Sequence, residues 1–272
     1  KWSYRIKIKG QGRLFGMKTF SIQSPDTRGN LNEWYFHKLL KHEGFIALRY
    51  GFINLSENGN LKGIYAIEES FDKQLIEFND RREGPILKFD ESIQIDKSII
   101  NQYRKYSKED IFLISKVNVF KTKRTLKNPI LYDQFKKGKE LLNKLRLRAI
   151  TLSEVMDIDK AARLFAIADL TGGHHAVNWK NVRFYFNPIV GKLEFIGFDS
   201  NSVFLISDLY YNKWIDSQIG IYDVLLWKNI FFEDGDFVKL YFKHLKRYGS
   251  PIFLEQFNQK IKVDMQLNLS YI

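Results

Sequence analysis

The chain has no cysteine among its 272 residues, which removes disulfides, thiolate metal sites and cysteine nucleophiles from consideration and leaves the redox compartment open. No apolar run approaches the ~20 residues needed to cross a bilayer, and the N-terminus lacks the charged and then apolar layout of a signal peptide. Lys1-Trp2-Ser3 passes directly into an alternating segment over 4–10, so the chain reads as starting inside a strand and export stays undecided. No linker and no internal repeat interrupts it. The expectation is one domain over 1–272, with lobes of about 1–90 and 91–272.

What is present supports a full core: 44% of residues are hydrophobic and 15% aromatic, ample for a chain of this length. Lys and Arg outnumber Asp and Glu by 43 to 31, a formal charge of +12, which favours an anionic partner such as a nucleotide, nucleic acid, anionic polymer or acidic protein. A basic surface also serves solubility alone. The densest basic run, KTKRTLKN over 121–128, has no interleaved aromatic residue for stacking, so a solvated loop is expected there and nucleic acid is disfavoured.

The first third reads as β-β-α-β-β. Residues 4–9 alternate as a half-buried strand, Gly10-Gln11-Gly12 breaks it, and 17–22 resumes a strand ending at Pro25. Asn30 followed by Glu33 resembles a capping box for a helix of about 31–42. Strands over 49–55 and 61–68 flank Asn58-Gly59, the strongest short hairpin signal. Beyond them come a short helix over 71–78, a strand over 85–89 and a weakly helical 98–106. An amphipathic helix over 133–150 and another around Ala161, Leu164, Phe165 and Ala168 lead to Gly172. Helices over 237–245 and 254–261 close the chain.

The segment 172–202 carries the most chemistry. Strand-like runs 182–186 and 192–198 flank the turn signal 187–191, and antiparallel pairing sets Asn181 roughly opposite Phe198 and Asp199. A side-chain amide and a carboxylate joined by a rigid hairpin form a hard-oxygen site suited to magnesium and, through it, phosphate. For Asp199 alone, capping is an equal reading. His174 and His175 are adjacent and point apart, a poor zinc pair; one can serve as a base, or both can anchor the loop. Exposed amides at Gly10 and Gly12 can cradle phosphate, with Lys18 reaching it, although glycines there also suit a plain turn. Lys73 and Lys88 are further cations. Glu68 and Glu69 end a strand facing opposite ways, which argues against a glycosidase pair.

Taken in order, these motifs resemble the spore-coat CotH kinase family of atypical protein kinases. The resemblance covers about Arg5 to Asn201. It rests on Lys7-Ile8-Lys9-Gly10 with Lys18-Thr19-Phe20, Gly63-Ile64-Tyr65-Ala66-Ile67-Glu68-Glu69 with Phe71-Asp72-Lys73, Gly84-Pro85-Ile86-Leu87-Lys88-Phe89-Asp90, and the hairpin from Asn181 to Asp199. It implies an α+β, minimal kinase-like fold with a β-rich N-lobe and a mostly helical C-lobe. It also implies phosphoryl transfer from ATP with Mg (or Mn) to a hydroxyl on a protein or surface component, in a bacterial setting at the cell surface, exported or in the spore coat.

By position, the resemblance implies Lys18 at the nucleotide phosphates, Gly10 and Gly12 in the covering turn, and Glu68 or Glu69 near the purine. Asn181 and Asp199 are implied as metal ligands, and Glu33 as a partner for Lys18. Two positions depart from the family pattern. Ala176 stands where members that phosphorylate protein carry Asp, five residues before the asparagine, and Asn201 stands where a second acid commonly follows. Three readings result: a kinase with His174 or His175 as substitute base, a pseudokinase-like module binding nucleotide or another anion, or a structural coat or envelope protein.

Overall fold

The structure is a computed structural model that describes residues 3–90, 92, 108–201, 208–212 and 225–270. It is α+β, built on two sheets. Strands β1 (Tyr4–Lys7), β2 (Thr19–Gln23), β4 (Tyr50–Glu57) and β5 (Asn60–Glu69) form the first, in the order β1-β2-β5-β4. Asn58 and Gly59 both take positive φ at the β4–β5 turn, the geometry that matches strand twist. The β1–β2 reversal departs from expectation. Its tip is Phe15-Gly16, again with two positive φ angles and bracketed by the Leu14–Met17 bridge, while Gly10-Gln11 is a separate exposed bend.

The second sheet runs β3-β9-β8-β6-β7, from β3 (Ile46–Ala47), β6 (Ile86–Phe89), β7 (Val117–Val119), β8 (Arg183–Asn187) and β9 (Lys192–Gly197). It therefore takes strands from both sides of residue 90. Between the sheets lies α1 (Leu31–His42), whose Trp34, Phe36, Leu39 and Leu40 enter the main core. A Cβ added at Gly197 would lie 2.2 Å from Leu40 Cδ1, so only glycine lets α1 pass this close to the end of β9.

Asn30 does not form the expected capping box. Its φ is 55° and its side chain makes no cap bond, while Glu33 turns inward to other partners. The run 121–128 is not a loop either: α4 (Thr122–Lys127) follows α2 (Lys73–Phe78) and α3 (Lys108–Ile114) in chain order. Then α5 (Pro129–Arg146) starts at once, because Asn128 accepts from Ile130 N and Leu131 N and Pro129 suits the first helical position. The expected helix 98–106 lies outside the described residues.

After α6 (Leu152–Val155), α7 (Ile158–Thr171) is capped by Asp157 and ends at Gly172 with φ 65°. Its Phe165 is ringed by Phe195, Tyr210, Phe231, Phe232 and Phe237, contacts supplied partly by α8 (Leu225–Phe232) and α9 (Gly235–Tyr248). Burying such a ring contributes about 1.5–3 kcal/mol, so this aromatic nest fixes α7 and the short 3-10 turn His174–Val177 that follows. The last described helix is α10 (Pro251–Leu269). No helix among the described residues is long and apolar enough to cross a membrane.

Candidate functional site

The open end of the β8–β9 hairpin is where the polar residues converge. The register pairs Arg183 with Ile196, and carried on by two residues it sets Asn181 against Phe198. Asn181 is buried, and its Nδ2 donates to Phe198 O at 2.9 Å and Asp199 O at 3.2 Å. Its Oδ1 is left as a hard-oxygen donor. Asp199 takes φ 54°, a left-handed conformation that Asp tolerates better than most residues, and turns the chain out of the strand.

The Asp199 carboxylate meets an arginine and a histidine. It forms an ion pair with Arg28, and His175 Nδ1 lies 3.3 Å from Oδ2 and 3.0 Å from the Asp199 carbonyl. Arg28 ends the 3-10 turn Pro25–Arg28 ahead of α1 and packs its guanidinium over Phe198 at 5.1 Å. The same guanidinium stands 3.9 Å from Glu68 Oε2, so it bridges two acids from opposite walls.

Behind Asp199, Ser200 N and Oγ donate to Glu33 Oε2 at 2.9 and 2.8 Å. Burial pushes the Glu33 carboxyl up, but the neighbouring His37 and Ser200 outweigh it and hold it below the usual range. Burial dominates at Glu68, with Arg28 only partly opposing it, and its carboxyl is pushed up to about 7. One ligand atom from each of Glu33, His37 and Glu68 lies within 4.8 Å of the others, a group with the donor types to hold a metal ion.

The other residues singled out in the sequence sit elsewhere. Ile8 N donates to Lys18 O, and Ile8 packs with Phe20 and Ile22. Lys18 stands at the bend before β2, where its main-chain N donates to Gln74 Oε1 at 3.2 Å, and the arginine paired with Asp199 is Arg28. Gly10 and Gly12 are exposed. Glu69 is taken by Arg49, whose Nε and main-chain N donate to Oε2 at 2.9 and 3.1 Å. Lys73 pairs with Glu77 and Glu83. His174 Nε2 lies 2.6 Å from Asp169 Oδ1. That buried acid also accepts from Tyr210 N and Tyr241 Oη, so His174 anchors the loop. Ala176 is buried in the core, and an acid at its position would point inward.

Sequence reasoning missed Arg28, His37 and Asp169. The Glu33/His37 pair carried a signal, a carboxylate and an imidazole four residues apart on one helix face. Arg28 carried none, since its partners lie 40 and 171 residues further along the chain. A cavity of about 730 Å³ lined by Met156, Ile158, Lys160, Val190 and Glu194 opens at the turn end of the hairpin, away from Asn181 and Asp199. Its Lys160 and Arg81 are both committed to Glu194.

The chain belongs to the CotH kinase protein family: the family model matches residues 1–263, nearly the whole length. That membership supports a kinase-like class of function. No curated protein matches the chain.

Proposed function

We propose that the protein is a kinase-like domain that binds ATP with magnesium or manganese at the open end of the β8–β9 hairpin. There it transfers a phosphoryl group to a hydroxyl on a protein or surface component. The observation that carries this reading is the union of Asn181 and Asp199, an amide oxygen and a carboxylate tied through one backbone carbonyl beside Arg28. Both donors are hard oxygens, the set that magnesium prefers. The ion would neutralise phosphate charge, the main demand of phosphoryl transfer.

The chain's own residues supply the rest. Arg28 offsets the Asp199 charge, and an incoming cation competes with it for that carboxylate. His175 is the half-exposed imidazole at Asp199, so the role of substitute base for Ala176 falls to it rather than to His174. Gly10, Gly12 and Lys18 enter the proposal only as a hairpin covering the phosphates, and Glu68 and Glu69 only through their strand near the purine. The division into lobes near residue 90 is part of the same reading.

The second reading, a pseudokinase-like nucleotide module, is favoured by Ala176, which is packed into the core where a catalytic acid is expected. Thermal melts with ATP and magnesium test the shared part. Saturating ligand at 100-fold excess over Kd stabilises by about 2.7 kcal/mol, and Asp199→Ala is expected to abolish the rise while Lys18→Ala weakens it less. An unshifted wild type rejects both readings. Radiolabel transfer from ATP to the chain or to a generic protein substrate, lost in His175→Ala, separates the enzyme from the module.

A further inference from the structure

The Glu33, His37 and Glu68 cluster lies between α1 and the first sheet, and its groups are 0%, 4% and 5% exposed. A buried structural cluster normally satisfies its polar atoms. Here Glu33 Oε1, Glu68 Oε1 and both ring nitrogens of His37 have no hydrogen-bond partner, and Tyr50 Oη and Gln23 Nε2 nearby share that state. The 3.2 Å approach of His37 Nε2 to Glu33 Oε1 is of ion-pair length but is not aligned as a hydrogen bond. It is also the separation of two ligand atoms around one small ion.

Charge points the same way. Glu33, Glu68 and Asp199 are three acids connected through Arg28 and Ser200, against the single fixed cation Arg28. With all three ionised the surplus is two negative charges, and of the three acids Glu33 and Glu68 are closed to water while the Asp199 side chain is 18% exposed. Burying unpaired charge costs several kcal/mol, and one divalent ion balances the count with His37 neutral. The imidazole decides the kind of ion. Calcium and magnesium prefer all-oxygen shells, whereas two carboxylates with a histidine suit zinc and its first-row neighbours.

We propose that Glu33, His37 and Glu68 form a site for one divalent first-row transition ion, with zinc as the ion the set fits best. The site is separate from the pair Asn181 and Asp199 and independent of the nucleotide reading. Its occupancy ties α1 to β5 and, through the Glu33 bonds to Ser200, braces the turn that presents Asp199.

The test uses the whole chain, stripped with a chelator, dialysed, loaded with zinc alone and passed through gel filtration before elemental analysis. About one equivalent is expected to stay bound in the presence of millimolar magnesium, with the melting temperature rising as zinc is added. His37→Ala and the isosteric Glu68→Gln are expected to weaken retention at least tenfold, while Asp199→Ala keeps it. Glu68→Gln decides the matter if His37→Ala fails to fold. Wild-type protein that retains no zinc overturns the proposal, as does zinc held equally by wild type, His37→Ala and Glu68→Gln. Zinc retention alongside an absent nucleotide shift supports this site and rejects only the nucleotide reading.

Discussion

Helix α1 carries a buried acid near each end, and the two are served very differently. Glu43, at its C-terminus, accepts from Arg247 Nη1 and Nη2 at 2.8 Å each and from Tyr248 Oη at 2.8 Å, with Arg163 at 3.7 Å. Both its oxygens are filled. Glu33, in the first turn, has one oxygen filled by Ser200 while the other, like Glu68 Oε1 and both ring nitrogens of His37, has no hydrogen bond. Burial alone therefore does not mark a functional acid. A saturated carboxylate fastens α1 to α9, whereas an unsaturated group keeps capacity for an outside ligand.

The largest expected difference between the two ends is in their pH dependence without added metal. Glu68 has its folded pKa raised from 4.5 to about 7, so the fold holds its proton more tightly than the unfolded chain does. The stability this confers is complete below about pH 4.5 and is lost as pH rises through about 7, by roughly 3 kcal/mol at most. Urea midpoints from pH 5 to pH 8 measure it, and Glu68→Gln is expected to flatten that slope. An unchanged slope in the variant breaks the contrast.

Next in size is Glu43→Ala, expected to cost about 2 kcal/mol. It strands Arg247 and Tyr248, a loss discounted because the Arg247 side chain is 45% exposed. Glu68→Gln at pH 8 is expected to cost nothing or to stabilise. Equal destabilisation by the two variants in chemical denaturation removes the distinction between fastening and site.

A smaller effect has the opposite pH sign. Burial pushes the Glu43 carboxyl up, but Arg247 and Tyr248 overcome it and hold the group below its usual range. Its stabilisation is present above about pH 4.5 and lost as pH falls through the folded value. Glu43→Ala should shrink the acid limb of the stability curve and leave the region above pH 5 parallel to wild type.

The smallest is Gly197→Ala, about 1 kcal/mol, because the new methyl meets the end of the Leu40 side chain, which must repack within the core, rather than backbone. It should shift α1 against β9 and reduce zinc retention without affecting the Glu43 end.

Local order was legible in the sequence wherever it depends on neighbours along the chain. The Asn58-Gly59 turn, the span of α1 and the pairing of Asn181 with Phe198 all follow from period, turn chemistry and short-range register. Reading failed where a nearby residue had a better distant partner. Glu33 suited a capping box, yet Ser200, 167 residues away, claims its carboxylate. The run 121–128 is solvated as expected at every position but Thr125, yet it is helical rather than a loop, because the Asn128 cap and Pro129 that organise α4 and α5 were passed over.

By itself, then, the sequence determined the α+β order, the family and the hairpin that joins Asn181 to Asp199, since these rest on residue type, periodicity and near spacing. Only the tertiary structure decided that Arg28 pairs with Asp199, that His174 is spent on Asp169, and that His37 and Glu68 meet Glu33 in a closed space. Those pairings depend on how sheet and helix faces are brought together over long stretches of chain. Burial, which makes an unpaired charge costly, exists only once the core has closed.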